Sequence, residues 1–256
     1  MILYMLIMNN YQKIRSFFTR IGAPRLGRSI TAFCSEPIHS LRASIYYLLG
    51  YLEPFCFYQM NPHKIRPSQV KKRAILLIHG NFHNQSAWIA LAKSLTQSNL
   101  GPIYTVNLNP GPLTEADREV INAKIAEIRS QYDVHGAKVV IDIIGHSRGS
   151  EMAFLTALED NCWQISSGFK KITSEKVSFK PEIGRVIRVG TPTDDEEKNA
   201  LPRDLLDRIY EIDASNDSFV LQKSQVKKTN RILVDTGHLG LLFSPTVHRQ
   251  ILLWLT

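Results

Sequence analysis

Cysteine is scarce in this chain, and its apolar runs are too short or too interrupted to cross a bilayer. The three cysteines are Cys34, Cys56 and Cys162. Their odd number and wide spacing predict neither a disulfide framework nor a zinc site, and mildly favour a reducing compartment. An apolar and aromatic stretch at residues 43–58 contains Glu53 and Pro54 and falls short of the roughly 20 apolar residues that span a bilayer. A membrane-spanning segment is therefore not predicted.

Acidic residues are scarce in the first 72 positions, where ten lysines and arginines accompany only Glu36 and Glu53. The rest of the chain contains 21 basic and 21 acidic side chains, so the whole net charge of +8 belongs to this N-terminal extension, residues 1–72. A secretory signal places positive charge before its apolar run, whereas here the charge follows the run. We therefore predict no secretory signal.

The N-terminal extension mixes basic residues with apolar and aromatic ones, and three interpretations remain open. Basic and aromatic side chains together favour contact with an anionic membrane surface. The same composition also suits helices that pack on the rest of the chain, with their charges solvated. The absence of Asp and Glu from residues 1–35 fits an organelle-targeting peptide as well. We expect a cytoplasmic or peripheral-membrane location and no nucleic-acid partner, because no nucleic-acid-binding module is present.

From residue 73 onward, strand and helix patterns alternate to the end of the chain. Apolar runs that end at glycine, such as Ala74–Gly80 and Lys138–Ser147, are typical of parallel strands buried on both faces. Further strand candidates are PIYTVNLN, RVIRVGTP, RIYEIDAS and RILVDTG. Helix candidates are Ala87–Ser98, Glu115–Tyr132, Ser150–Leu158 and Val247–Leu255. This alternation predicts one doubly wound α/β domain with a mostly parallel sheet over residues 73–256, with active residues just after strands.

The run Gly145-His146-Ser147-Arg148-Gly149 fits the pattern G-x-S-x-G and lies between a predicted buried strand and a helix. Glycines on both sides permit a turn so tight that the serine is held at a strained backbone angle, with its hydroxyl above the sheet. The amides at the start of the next helix favour negative charge at the same place. The pattern therefore indicates Ser147 as a nucleophile.

A serine nucleophile needs a base and a carboxylate that orients the base, in the hydrolase order Ser, Asp or Glu, then His. His238 follows the last predicted strand, whereas His248 lies within the C-terminal helix, so we predict His238 as the base. Asp213 and Asp217 both follow the preceding strand and both remain candidates for the acid. Asp217 is favoured, because a loop residue can reach across to the histidine of a neighbouring strand.

Acyl transfer also needs donors for the oxyanion of its tetrahedral intermediate, each worth about 3 kcal/mol. The backbone amide of Arg148, directly after the serine, is one candidate. The loop after the first core strand supplies the other, with the Asn81 amide as the leading candidate and the Phe82 amide as the alternative. We expect the ring of His79 to brace this loop and to transfer no proton.

The segments IHGNFHNQSAW, IGHSRGS, IYEIDASNDSFV and GHLGLLFSPTVHRQIL resemble the α/β-hydrolase fold. The last two resemble the small lidless bacterial lipases of the lipase A type. The resemblance covers about residues 73–256, and the C-terminal segment is its most specific part. It implies a catalytic triad of Ser147, Asp217 and His238, in agreement with the order of these residues along the chain.

Two residues of the predicted elbow depart from the lipase pattern. Ser150 stands where those lipases usually have a second glycine, and Arg148 stands where they have a bulky apolar residue. An arginine at this position favours anionic or phosphate-bearing substrates. The lipases are also usually secreted and lack a basic apolar extension, so the resemblance implies the triad more firmly than the substrate or the location.

The segment GTPTDDEEKNALPRDLLD, between two predicted strands, leaves room for only a loop and one helix, so we predict an open site without a cap domain. Its acidic run is Asp194, Asp195, Glu196 and Glu197. A run of like charges is usually a solvated turn, so we predict no metal site there. We also expect no cofactor, because no phosphate-binding glycine loop or nucleotide fingerprint is present.

Together these residues predict a serine hydrolase that cleaves carboxylic esters, an esterase or lipase with a small-molecule or lipid ester as substrate. Thioesterase, amidase and acyltransferase activities use the same residues and remain open alternatives. A different class, a catalytically inactive membrane-tethered binding module, is the other alternative, although such proteins usually lack one triad residue.

Overall fold

The computed structural model describes residues 39–40, 73–133, 138–160, 163–165, 172–174, 183–191, 203–217, 220 and 230–256. The membrane contact predicted for residues 1–72 lies outside these ranges except at His39 and Ser40, and so does the acidic run at residues 194–197. Within the ranges, no helix is long and apolar enough to cross a membrane.

The described part of the chain contains the following elements. The strands are β1 (Arg73–Ile78), β2 (Ile103–Val106), β3 (Val140–His146), β4 (Trp163–Ile165), β5 (Ile172–Ser174), β6 (Ile183–Val189), β7 (Ile209–Ala214) and β8 (Arg231–Val234). The helices are α1 (Ile89–Gln97), α2 (Glu115–Asp133), α3 (Arg148–Asp160), α4 (Arg203–Leu206) and α5 (Pro245–Leu255). Two short 3-10 helices, Gln85–Trp88 and Leu239–Leu242, precede α1 and α5.

Six strands form one parallel sheet in the order β2-β1-β3-β6-β7-β8. The predicted α/β fold with a mostly parallel sheet and flanking helices is confirmed. The chain winds outward from β1 to β2 and then crosses β1 to reach β3, so the strand order reverses between β1 and β3. In sheets of this kind, ligands bind beyond the carboxyl ends of the strands at such a reversal.

Both faces of the sheet are covered, because side chains along each strand alternate between two apolar clusters. On β1, Leu76 and Ile78 pack against α2 and α3. Ile75 and Leu77 face the other side, where α1 and α5 lie. This two-sided burial is the reason the strand sequences are continuous apolar runs, and each fully buried Leu or Ile contributes about 1.5–3 kcal/mol.

Polar caps fix the start of two helices that flank the site. The Oγ1 of Thr114 accepts a hydrogen bond from the Asp117 amide at 3.3 Å, at the start of α2. The α5 helix begins at Pro245, two residues before the predicted start, because Ser244 caps it and proline suits the first helical position. The strands β4 and β5 were not predicted from the sequence, and they form a separate antiparallel pair between α3 and β6.

The N-terminal extension contacts the α/β domain at His39. The ring of His39 stacks on the ring of Phe243, with centroids 5.6 Å apart and planes inclined by 15°. Gly240 lies against the same imidazole, since a Cβ atom there would be 3.2 Å from Cδ2 of His39. At His39, therefore, the extension packs on the segment that follows His238, as one of the three interpretations expects.

Candidate active site

Ser147 lies on a tight turn between the end of β3 and the start of α3. Its φ angle is 53°, in the left-handed region that residues other than glycine rarely adopt. A Cβ atom at Gly145 would lie 2.2 Å from the carbonyl oxygen of Gly149, and one at Gly149 would lie 2.3 Å from that of Ile78. Only glycine therefore fits on either side of this serine. This is the strained strand–turn–helix geometry predicted from the motif.

Asp217 and His238 form a buried pair at the carboxyl edge of the sheet. Asp217 follows β7 and His238 follows β8. The Nδ1 atom of His238 lies 2.7 Å from Oδ2 of Asp217, and only 6% and 2% of the two side chains are exposed. The other carboxylate oxygen of Asp217 accepts the Val220 amide at 2.8 Å. A carboxylate in this position holds the proton on Nδ1 and leaves Nε2 able to accept one.

Asp213, the other candidate for the acid, has a different partner. It lies within β7, and its Oδ2 accepts a hydrogen bond from Nε of Arg231 at 2.5 Å. This ion pair joins β7 to the edge strand β8. Of the two aspartates, the structure places Asp217 against His238 and Asp213 in a structural ion pair.

His146, the residue before the serine, packs directly against His238. The two ring centroids are 4.7 Å apart, and Nε2 of His146 lies 3.3 Å from the carbonyl oxygen of His238. Gly190, after β6, has a φ of 61°, and a Cβ atom there would lie 3.2 Å from Cε1 of His238. His238 therefore lies beside the elbow. The Ser147 hydroxyl forms no hydrogen bond with any residue that the structure describes.

The loop after β1 contains both candidates for the second oxyanion donor. Asn81 Oδ1 accepts the Phe82 amide at 3.1 Å and the Gly111 amide at 2.8 Å. The Phe82 amide is therefore already engaged with the side chain before it. Phe82 also has a positive φ of 51°, and 75% of the residue is exposed.

Three buried histidines surround this site and are neutral near pH 7. Burial lowers the pKa of His79 and of His83 to about 4 and lowers that of His146 well below its usual range. The Nδ1–H of His79 donates to the Gly80 carbonyl at 2.7 Å, and its Nε2 accepts the Leu108 amide at 2.9 Å. Both ring nitrogens of His79 are thus engaged with backbone, which matches its predicted bracing role.

The side chain of Arg148 turns away from solvent and binds the loop between β2 and α2. One terminal nitrogen donates to the carbonyl oxygens of Gly111 at 2.7 Å and Pro112 at 3.1 Å, and the other donates to that of Asn109 at 2.6 Å. Only 8% of Arg148 is exposed. This orientation does not support the expectation that Arg148 favours anionic substrates, because the guanidinium is directed at backbone carbonyls.

A cavity of about 450 Å³ lies at the opposite end of the strands from this site. Its lining includes Arg73, at the start of β1, together with the turn that follows α1. Because ligands in parallel sheets bind beyond the carboxyl ends of the strands, we do not assign the candidate site to this cavity. Within the ranges that the structure describes, no cluster of three or more His, Cys, Asp or Glu side chains is arranged to hold a metal ion.

Two parts of the site were not predicted from the sequence. The contact of His146 with His238 depends on how the end of β3 packs against the loop after β8, and no local sequence pattern predicts it. The loop that Arg148 binds, Asn109–Pro112, consists of asparagine, proline and glycine. That composition predicts a turn, but it does not indicate which side chain the turn binds.

No family model matches the chain, and no curated protein matches it in sequence. Solved structures do resemble it. A protein described as a hydrolase of the α/β superfamily, from Xanthomonas campestris, is 15% identical, with 73% of this chain and 98% of that one covered and a TM-score of 0.42. An extracellular α/β-hydrolase from a Paenibacillus species is 12% identical, with 70% and 97% covered and a TM-score of 0.43.

A thioesterase of the prodiginine biosynthetic pathway from Streptomyces coelicolor is 13% identical, with 74% of this chain and 87% of that one covered and a TM-score of 0.42. These solved structures are hydrolases, two of them described as α/β-hydrolases. The more specific resemblance to lipases of the lipase A type stays a prediction. At these identities and TM-scores, the function of this chain has to be argued from its own residues.

Proposed function

We propose that this protein is a serine hydrolase that cleaves carboxylic esters through an acyl-enzyme. One observation carries the proposal: Ser147 is held at a φ of 53° between two required glycines, next to the buried pair of Asp217 and His238. Strain of this kind costs about 1–3 kcal/mol and persists where the surroundings enforce it, typically at sites of chemistry. The position at the reversal of strand order supports the same conclusion.

In the first half of the reaction, Ser147 Oγ attacks the ester carbonyl and its proton passes to Nε2 of His238. Asp217 stabilises the imidazolium that forms, through the hydrogen bond to Nδ1. The tetrahedral intermediate then collapses, the carbon–oxygen bond to the leaving group breaks, and His238 gives its proton to the leaving alcohol. The hydrogen bond between Ser147 and His238 is expected to form with substrate, because such bonds are often long in its absence.

In the second half, His238 takes a proton from water, and the resulting hydroxide attacks the acyl group on Ser147. A second tetrahedral intermediate forms and breaks the bond to Oγ. The acid is released, and the proton on His238 returns to Ser147. The protein needs no cofactor for either half, because nucleophile, base and orienting carboxylate are side chains of the chain itself.

Both tetrahedral intermediates carry an oxyanion, and two backbone amides are proposed to bind it. The Arg148 amide lies at the start of α3, where the helix dipole favours negative charge. For the second donor we propose the Asn81 amide, because the Phe82 amide already donates to Asn81 Oδ1. Each such donor is worth about 3 kcal/mol in the transition state.

A series of aryl esters with acetyl, butyryl, octanoyl and lauroyl groups tests this function, with a matched thioester and amide. We expect ester hydrolysis by the full chain, and a loss of about 10⁴-fold or more in kcat for Ser147→Ala. Ser98→Ala, at an exposed position at the end of α1, is the control and should keep its activity. Full hydrolysis by Ser147→Ala would contradict the proposal, and a preference for the thioester would reassign the leaving group.

A further inference from the structure

The backbone between β2 and α2 is held by three side chains that lie at the carboxyl ends of β1 and β3. Arg148 donates to the carbonyl oxygens of Asn109, Gly111 and Pro112. Backbone amides of the same loop are bound as well: Nε2 of His79 accepts the Leu108 amide, and Oδ1 of Asn81 accepts the Gly111 amide. These side chains belong to the nucleophile elbow and to the loop that carries the proposed oxyanion amide. The loop is therefore bound to the residue that follows the proposed nucleophile and to the loop of the proposed oxyanion amide.

The charge of Arg148 is balanced without any ligand. Its terminal nitrogen lies 3.6 Å from Oδ2 of Asp117, which is only 4% exposed on its side chain. Asp117 in turn accepts hydrogen bonds from the amide and the hydroxyl of Thr114, at 3.0 and 2.9 Å, at the start of α2. The guanidinium thus links the elbow to the loop and to the helix that follows the loop.

A planar guanidinium suits this arrangement, because its donors point in fixed directions and can bind several carbonyls at once. A lysine has a single ammonium group on a flexible stem, so it can keep the charge but cannot bind all three carbonyls with the same geometry. With its terminal nitrogens directed at the loop and Asp117 beside it, Arg148 offers a substrate neither an open donor fork nor an uncompensated charge.

We propose that Arg148 is a positioning residue that holds the segment Asn109–Pro112 as one wall of the acyl-binding site, and that the site takes uncharged acyl groups. This inference rests on the proposed ester hydrolysis. The same arginine therefore acts twice, by its amide on the oxyanion and by its side chain on the loop. An apolar side chain at position 148 would have no donors for those carbonyls.

Hydrogen exchange of the full chain tests the loop directly. We expect Arg148→Met to speed amide exchange in peptides that cover residues 107–113 by about tenfold or more, since each 1.4 kcal/mol of lost stabilisation allows tenfold more opening. Arg148→Lys should show a smaller increase. Unchanged exchange in both variants would overturn the positioning role, and this readout does not depend on any hydrolysis.

Two aryl esters with four-carbon acyl groups test the substrate class: a butyrate and a hemisuccinate, in which a carboxylate replaces the terminal methyl group. We expect the wild-type protein to prefer the butyrate, and Arg148→Met to raise KM for it by about tenfold while kcat falls less. The ratio of kcat/KM for the two esters should stay within about twofold. A selective loss of hemisuccinate turnover in Arg148→Met would identify an anion receptor and overturn the proposal.

Failure of the proposed function and failure of the positioning role give different results. If the wild-type chain hydrolyses none of the esters in the series, the proposed function is wrong, whatever the exchange shows. If the chain hydrolyses esters while exchange of residues 107–113 does not depend on residue 148, only the positioning role is wrong. Arg148→Lys keeps the charge and serves as the variant of choice if Arg148→Met does not fold.

Discussion

Asp213 and Asp217 lie close together in the sequence, and their different surroundings predict different roles for them. Asp217 accepts the Nδ1–H of His238, whereas Asp213 is paired with Arg231. A carboxylate that orients the base matters in the transition state, because it stabilises the imidazolium. A carboxylate in an ion pair between strands matters mainly for stability.

Replacement of each aspartate by asparagine separates these roles. We expect Asp217→Asn to lower kcat by about 10⁴-fold with little loss of folding stability, because an amide no longer holds His238 in the right tautomer. Asp213→Asn should lower the free energy of unfolding by about 1–3 kcal/mol and leave most of kcat intact. Steady-state hydrolysis of an aryl ester and thermal unfolding measure both effects. The reverse pattern would show that the acid has been misassigned.

The sequence indicated which residues gather at this edge of the sheet better than it indicated what the side chain of Arg148 touches. Chain order, with each residue just after a predicted strand, singled out Ser147 and His238. Asp213 and Asp217 both fitted that order, and Asp217 was favoured only for its position in the loop. The orientation of Arg148 was not predictable in the same way, because its partners are backbone carbonyls. Every residue has a carbonyl, so no residue type marks where such a partner will be.

At the scale of elements, the tight turn at Ser147 was predictable because its flanking glycines form a recognisable sequence pattern. A Cβ atom at Gly149 would meet the carbonyl oxygen of Ile78 on the neighbouring strand β1. This close approach exists only because β1 pairs with β3 in a register that sets Ile78 opposite Gly145. The motif therefore reports on the packing of two strands as well as on one turn.

The strain at the elbow predicts an order of stability for two inactive variants. Ser147→Gly should unfold at higher urea concentration than Ser147→Ala, with a difference of about 1 kcal/mol, because only glycine adopts a φ of 53° without cost. Ser94, inside α1, is the matched control. There the order should reverse, because glycine destabilises a helix interior by about 1 kcal/mol relative to alanine. Equal stability of the two Ser147 variants would contradict strain at this position.

Short elements were the ones that the sequence did not reveal. The strands β4 and β5 have three residues each, which is too short for a period of two to stand out. The loop that Arg148 binds has no periodic pattern of apolar residues. Long elements such as α2 were found because Ile121, Ile125 and Ile128 repeat with the spacing of one helical face.

At the scale of the whole molecule, the order of the strands determines where the site forms. The chain leaves β1 toward β2 and returns past it to β3. In sheets with such a reversal, the loops after the two strands diverge, and a crevice for a ligand is expected between them. The proposed oxyanion loop with Asn81 follows β1, and the elbow with Ser147 follows β3. His238 reaches the same edge from β8, across the full width of β6 and β7.

The N-terminal extension is the part of the molecule whose role the sequence patterns determined least. Its composition suited a membrane surface, a targeting role or packing on the domain, because basic and aromatic residues serve all three. The stacking of His39 on Phe243 supports packing at that one position, beside the 3-10 helix that follows His238. Such a contact joins distant parts of the chain, and nothing in the local sequence near His39 marks it.

The central claim is that Ser147 is an activated nucleophile, and covalent labelling tests it most directly. The full chain is treated with a fluorophosphonate, and the adduct is counted by intact mass and located by peptide mapping. The account predicts one adduct per chain, on Ser147, that is absent from Ser147→Ala and forms much more slowly in Asp217→Asn. No adduct on the folded wild-type chain, or an adduct that persists in Ser147→Ala, would contradict it.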